Sequence, residues 1–272
     1  MKVFPHLLLS CLLLPLTKGV TAAPDMHDKL ERVVSGDHRS AENIARNQYR
    51  HPVQTLEFFG MRDDMNVVEI WPGGGGWYTE VLAPFLRDRG KLVAASYDAD
   101  SSVEYYRKNA AAYGDKLQAR PDVYDRVKVI DFQPPDKSDL GADGSADMVV
   151  TFRNVHNWLE ADTAGQVFAA MFRVLKPGGI LGLVEHRGVE GHVGKKWWES
   201  GYVPESEVIR LAQEAGFRLV EKSEINANPK DTKDYPDGVW TLPPVYRLKE
   251  KDHDRYAAIG ESDRMTMKFI KP

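Results

Sequence analysis

A single cysteine, Cys11, stands among the 272 residues. One thiol cannot build an internal disulfide framework or a multi-cysteine metal site. Long apolar runs are also missing. The longest, Leu7 to Leu14, is interrupted by Ser10 and Cys11 and falls short of the ~20 residues needed to span a bilayer as a helix. Charge of one sign is lacking too: 36 Lys and Arg face 40 Asp and Glu, a net −4. That balance offers no basic footprint for nucleic acid and no charged tail. Three motifs are absent. There is no Gly-x-Ser-x-Gly elbow, no Gly-Lys-Ser/Thr phosphate loop and no His-Glu-x-x-His helix. Their absence removes the usual signs of a serine hydrolase, a P-loop nucleotidase and a zinc protease. What remains is ordinary for a globular α/β chain with a full core: 42% hydrophobic and 28% charged residues.

The first 23 residues differ in kind from the rest. Lys2 is followed by the apolar run and then by Val20-Thr-Ala-Ala23 before Pro24. A positive start, a short apolar stretch and small residues form the layout of a secretory signal, with cleavage expected after Ala22 or Ala23. An uncleaved anchor is the alternative. Leu-Leu-Ser-Cys11 loosely resembles a lipoprotein signal, but apolar sequence continues past the cysteine. Residues 1–23 are therefore expected to be removed. The mature chain would be periplasmic or secreted, would have no cysteine and would have no membrane contact.

Residues 24–65 are polar, with helical stretches, and read as an N-terminal lid or brace. Ser40 suits a helix cap, and Pro52 suits the first turn of a helix ending near Gly60. From Asn66 onward, apolar strand patterns alternate with helical ones. Strands are expected at 67–70, 91–95, 127–130, 147–152, 180–184, 217–220 and 264–270, and helices at 102–113, 162–175 and 206–215. Alternation of this kind predicts an α/β fold: a mostly parallel, seven-stranded sheet with helices on both faces, a three-layer αβα sandwich. Residues 226–262 contain four prolines together with Trp240 and Tyr246. They read as a loop insertion near the substrate side.

The central feature is Val67-Val-Glu-Ile-Trp-Pro-Gly-Gly-Gly-Gly-Trp77. A strand ends, glycines turn the chain and a helix begins, so backbone N–H groups are presented to a ligand. A dinucleotide fingerprint would place its third glycine where Tyr78 stands. Glu69-Ile-Trp-Pro-Gly-Gly-Gly instead resembles the first motif of class I S-adenosylmethionine-dependent methyltransferases, an acidic residue followed by Gly-x-Gly-x-Gly, with Trp71 in place of the first glycine. Within that superfamily it resembles exported, predicted methyltransferases whose turn reads Pro-Gly-Gly-Gly-aromatic. The resemblance covers residues 40–272. It implies a Rossmann-like fold with S-adenosyl-L-methionine as cofactor, cradled by Glu69, Trp71, Gly73, Gly74 and Gly75. It implies a ribose contact near Ser96, Tyr97 or Asp98. Asp131 and Phe132 would hold the adenine, and Arg153 and Asn154 would lie under the methionine part. Leu175-Lys-Pro-Gly-Gly-Ile180 resembles the family's helix-to-strand connection.

Ligands of open α/β sheets bind outside the carboxyl ends of the strands. That rule selects Arg153, Asn154, His156, Asn157 and Trp158, with His186 after the next strand. His156 is the preferred general base, because imidazole exchanges protons near neutral pH; a structural histidine is the alternative. Glu185, Glu190 and His192 accompany His186 without a metal-binding spacing, so no metal is expected. Trp197, Trp198 and Tyr202 suit either an acceptor pocket or core packing. The expected function is methyl transfer to a small molecule. The competing reading is an exported, non-catalytic ligand-binding protein that keeps the fold.

Overall fold

The computed structural model describes residues 26–191 and 197–272; the expected signal segment, Cys11 and His192 lie outside them. Four short helices come first: α1 (Met26–Val34), α2 (Ala41–Ala45), α3 (Asn47–Arg50) and α4 (Pro52–Phe59). Ser40 caps α2 by accepting the Asn43 N–H, and α4 starts on Pro52 and stops at Gly60 in the left-handed region. The alternating part follows. It runs β1 (Asn66–Ile70), α5 (Thr79–Leu86), β2 (Lys91–Ser96), α6 (Glu104–Ala119), α7 (Pro121–Tyr124), β3 (Lys128–Asp131) and β4 (Ala146–Phe152). It continues with α8 (Val155–Glu160), α9 (Ala164–Val174), β5 (Leu175–His186), α10 (Glu205–Glu214), β6 (Arg218–Ser223), α11 (His253–Ile259) and β7 (Arg264–Ile270).

The seven strands form one sheet in the order β3-β2-β1-β4-β5-β7-β6. The five from β3 to β5 pair in parallel, while β7 runs antiparallel to both β5 and β6. Alternate residues of the central strands face opposite layers. Val68 and Ile70 join the core under α8, α9 and α10, while Val67 joins the core under α1, α4 and α5. The N-terminal helices are therefore part of one covering layer of the sheet. No helix among the described residues is long and apolar enough to cross a membrane.

Three expectations change. β5 begins at Leu175, because Lys176-Pro-Gly-Gly179 is drawn into the sheet by pairing of Leu175 with Ala146 and of Gly178 N–H with the Lys271 carbonyl. α6 runs through Gly114 to Ala119, since a solvent-facing glycine weakens a helix by only about 1 kcal/mol. The 226–262 segment is ordered by its own small cluster of Tyr235, Leu242 and Tyr256. It contains the 3₁₀ turn Gly238–Thr241 as well as α11.

Candidate active site

The carboxyl ends of β1, β2, β4 and β5 open on one cavity of about 220 Å³. Glu69, Trp71, Pro72 and Gly73 line it from β1, Tyr97 from β2, and Phe152, Arg153, Asn154, His156 and Asn157 from β4 and α8. His186 closes it from β5. Arg50, Trp77, Tyr78, Tyr105 and Trp240 complete the wall.

Glu69 points to the α5 side of the sheet. Its Oε2 accepts a hydrogen bond from Thr79 Oγ1 at 2.7 Å. Burial pushes its carboxyl up to about 7 against the opposing effect of that bond. Trp71 has a left-handed backbone, with φ +47°. A bulky residue there stores strain of roughly 1–3 kcal/mol, which its side-chain contacts must hold in place. Its indole N–H donates to the Phe132 carbonyl at 2.7 Å. Its ring lies 4.7 Å from Tyr97 and 6.0 Å from Trp158.

At the end of β4 the chain turns through Arg153, φ +64°, whose N–H still reaches the Val184 carbonyl. The Asn154 amide donates to the Ile70 carbonyl at 2.9 Å and to Thr151 at 3.1 Å, which clips the end of β4 to that of β1. α8 then begins over Glu185, a fully buried carboxylate at the end of β5. Its oxygens accept the Val155 N–H at 2.6 Å and the His186 N–H at 2.8 Å, and Oε1 stands 3.2 Å from His156 Nδ1. With Nδ1 held, the imidazole keeps Nε2 for a ligand. His186 Nδ1 pairs with Ser262 Oγ at 2.5 Å. Burial, and then the nearby His156 and Arg153, hold His186 well below its ordinary pKa and so uncharged.

His156, Glu185 and His186 place donor atoms within 4.8 Å of one another. Sequence spacing did not reveal this group, because its members come from two strand ends. The Glu185 oxygens are spent on N–H donors, and Arg153 lies on the same cavity wall, an unfavourable neighbour for a cation.

Other expected residues fall elsewhere. Gly74 gives its N–H to Asn109 Oδ1 at 3.0 Å, and neither Gly74 nor Gly75 lines the cavity. Ser96, Asp98, Asp131 and Phe132 do not line it either. Lys137 bridges Asp98 and Asp131 at 2.8 Å each, so the two acids neutralise one ammonium outside the pocket. Tyr202 donates to Asp231 away from the cavity, and Glu190 accepts the Ser206 N–H. Trp198 contributes its carbonyl to the Gly201 N–H; the side chain of Trp197 lies outside the described residues. Arg50, Tyr105 and Glu185 were not expected at the site as lining or supporting groups. Nothing in the local pattern around Arg50 sets it apart from other helix-surface arginines.

A family profile described as a methyltransferase domain matches residues 73–183. No curated protein sequence matches the chain. Among solved structures, a SAM-dependent methyltransferase from Aquifex aeolicus is similar at 15% identity with a TM-score of 0.55, covering 90% of this chain and 98% of its own. The [4+2]-cyclase SpnF is similar at 17% identity with a TM-score of 0.58, covering 88% and 86%. A putative sarcosine dimethylglycine methyltransferase from Galdieria sulphuraria is similar at 14% identity with a TM-score of 0.54, covering 86% and 88%.

Residues 73–183 match a methyltransferase domain, and the fold as a whole is similar to that of SAM-dependent methyltransferases.

S-adenosylmethionine is the cofactor that such a match implies. The residues around the cavity would fit its two ends unequally. At the amino-acid end, Glu69 is a buried carboxyl facing the cavity, a suitable partner for an ammonium. Gly73 has φ +70°, and a Cβ built on it would meet nothing within 4 Å, so backbone is open to a ligand there. Toward Phe132 and Tyr97, where an adenosine would have to lie, the Trp71 indole already takes the Phe132 carbonyl and packs on Tyr97. The family match begins at Gly73, just past the tryptophan.

Proposed function

We propose that this domain transfers a methyl group from S-adenosylmethionine to a small-molecule acceptor in the cavity beneath Trp240, with His156 as general base. The Glu185–His156 pair carries the reading. A carboxylate held by backbone N–H groups fixes one imidazole nitrogen, and the other is left for a substrate proton. When bound, the cofactor supplies an electrophilic methyl carbon. Glu69 and Gly73 would hold its amino-acid end. Arg153 and Asn157 would border the acceptor, and Trp240, edge-on to His156 at 5.8 Å, would exclude water. The expected signal at residues 1–23 makes export and cleavage part of the proposal, checked by sequencing the mature N-terminus. Calorimetric titration with S-adenosylhomocysteine tests the cofactor. Micromolar binding supports the reading, and a folded protein that does not bind rules it out.

One observation favours a second reading, an exported ligand-binding protein without catalysis: the Trp71 indole already bonds the Phe132 carbonyl and fills the side of the cavity next to Tyr97. Fold alone does not decide between the two. Release of S-adenosylhomocysteine in the presence of an acceptor would select the enzyme.

A further inference from the structure

The cavity wall carries a charge imbalance that methyl transfer does not explain. Arg46, Arg50 and Arg264 all pair with the one carboxylate of Glu261, Arg46 at 2.7 Å and Arg50 at 3.3 Å. Arg153 joins the same group through space without any ion pair or side-chain hydrogen bond among the described residues. Arg153 lines the main cavity and also a smaller one of about 70 Å³, which it shares with His186, Trp240 and Glu261. Arg50 is 2% exposed, stacks on Trp77 at 4.6 Å and lines the main cavity, and its Nη1 has no hydrogen-bond partner. Arg46 Nη2 and Arg264 Nε are likewise buried and unpartnered. The other carboxylates at the cavity are engaged elsewhere: Glu185 by N–H groups and His156, Glu69 by Thr79. Tyr78, stacked on Phe152, adds a neutral wall.

Four guanidinium groups around one carboxylate form an arrangement that proteins keep only when something compensates the buried charge. The cofactor does not. S-adenosylmethionine carries a sulfonium and an ammonium against one carboxylate, so its arrival adds positive charge. We propose that the cavity binds an acceptor bearing an acidic group, a carboxylate or phosphate, seated between Arg153 and Arg50 beside the imidazoles of His156 and His186. Planar guanidinium groups suit bidentate recognition of such oxygens. The acid would anchor the acceptor while His156 faces the group to be methylated. This deepens the functional reading by giving the acceptor's charge. It is tested without cofactor, so either can fail alone.

The test is a titration of the purified protein with inorganic phosphate at constant ionic strength set by chloride, followed by thermal unfolding and calorimetry. The expected result is a saturable rise in melting temperature with phosphate and none with chloride. Arg153→Gln should weaken phosphate binding at least tenfold. In phosphate-free buffer it should melt no lower than the parent, because an uncompensated buried charge has been removed. If phosphate acts no differently from chloride on the parent protein, the proposal is overturned. The same holds if Arg153→Gln binds phosphate normally, or if it melts lower because the guanidinium had a structural partner. Titration with S-adenosylhomocysteine separates the remaining source of acid. If Arg153→Gln loses that ligand and keeps phosphate, the arginine serves the cofactor's own carboxylate and the proposal fails.

Discussion

Trp71 holds a glycine's backbone with an indole's bulk, and two consequences follow at the scale of single residues. Trp71→Gly should relieve the left-handed strain yet lose a buried ring, a net cost of about 3 kcal/mol by denaturant unfolding. If the indole closes the adenosine end, the same variant should bind S-adenosylhomocysteine at least tenfold tighter, read by calorimetry; weaker binding would mean that the ring stacks on the cofactor instead. Glu69 gives a pH signature. Its carboxyl is raised by burial to about 7, so the folded state holds a proton that the unfolded chain releases near its ordinary value. Its contribution is therefore unfavourable above that ordinary value, and stability falls as pH rises toward about 7, by up to about 3 kcal/mol at 1.36 kcal/mol per unit. Glu69→Gln should remove this slope, gaining on the parent at pH 8 but not at pH 4 in parallel denaturation curves. His156→Asn should lower turnover by about 10²–10⁴-fold in a protein that still unfolds cooperatively on heating. Glu69, Trp71, Gly73 and His156 could be read from sequence because they sit at the ends of apolar runs. Arg50 and Glu185 could not: their roles come from neighbours far away in the chain.

The elements themselves were largely legible. The strands that became β1, β2, β4 and β7 are short apolar or β-branched runs between turn residues, and the pattern located them closely. Where it missed, tertiary pairing prevailed. Lys176-Pro-Gly-Gly179 looks like a simple stop, but neighbouring strands supply partners for its backbone and lengthen β5. The contact of β5 with α4 yields a packing prediction. A Cβ on Gly182 would lie 2.4 Å from the Phe59 ring, and that ring is buried in the core. Gly182→Ala should therefore cost about 1–3 kcal/mol through overpacking, measured by thermal unfolding. The 226–262 segment brings Trp240 to the pocket, held under the Arg247 guanidinium at 4.7 Å. Its prolines suggested a loop; its aromatic cluster, which orders it, has no periodic signature.

On the scale of the whole molecule, Glu261 joins the two ends of the described chain. It receives Arg46 and Arg50 from the N-terminal helices and Arg264 from the start of β7. Burial alone would raise its carboxyl, but Arg264, Arg50 and Arg46 overcome that and leave it well below the ordinary range. A lowered carboxyl stabilises the fold above its unfolded value, and this contribution is lost as pH falls through the folded one. Glu261→Gln should cost about 3–5 kcal/mol at neutral pH, since it leaves buried guanidinium groups unpaired, and the loss should shrink under acid, by urea unfolding across pH. By itself the sequence determined the α/β alternation, the strand ends that face a ligand and the glycine turn between β1 and α5, because these depend on residues close together in the chain. Only the tertiary structure decided that Trp71 covers Phe132, that Lys137 takes Asp98 and Asp131, and that Arg50 and Arg153 meet in one pocket. Apart from the short Asp131–Lys137 step, those contacts join segments from about 40 to about 100 residues apart, and no local period records which distant charges and rings the sheet will bring face to face.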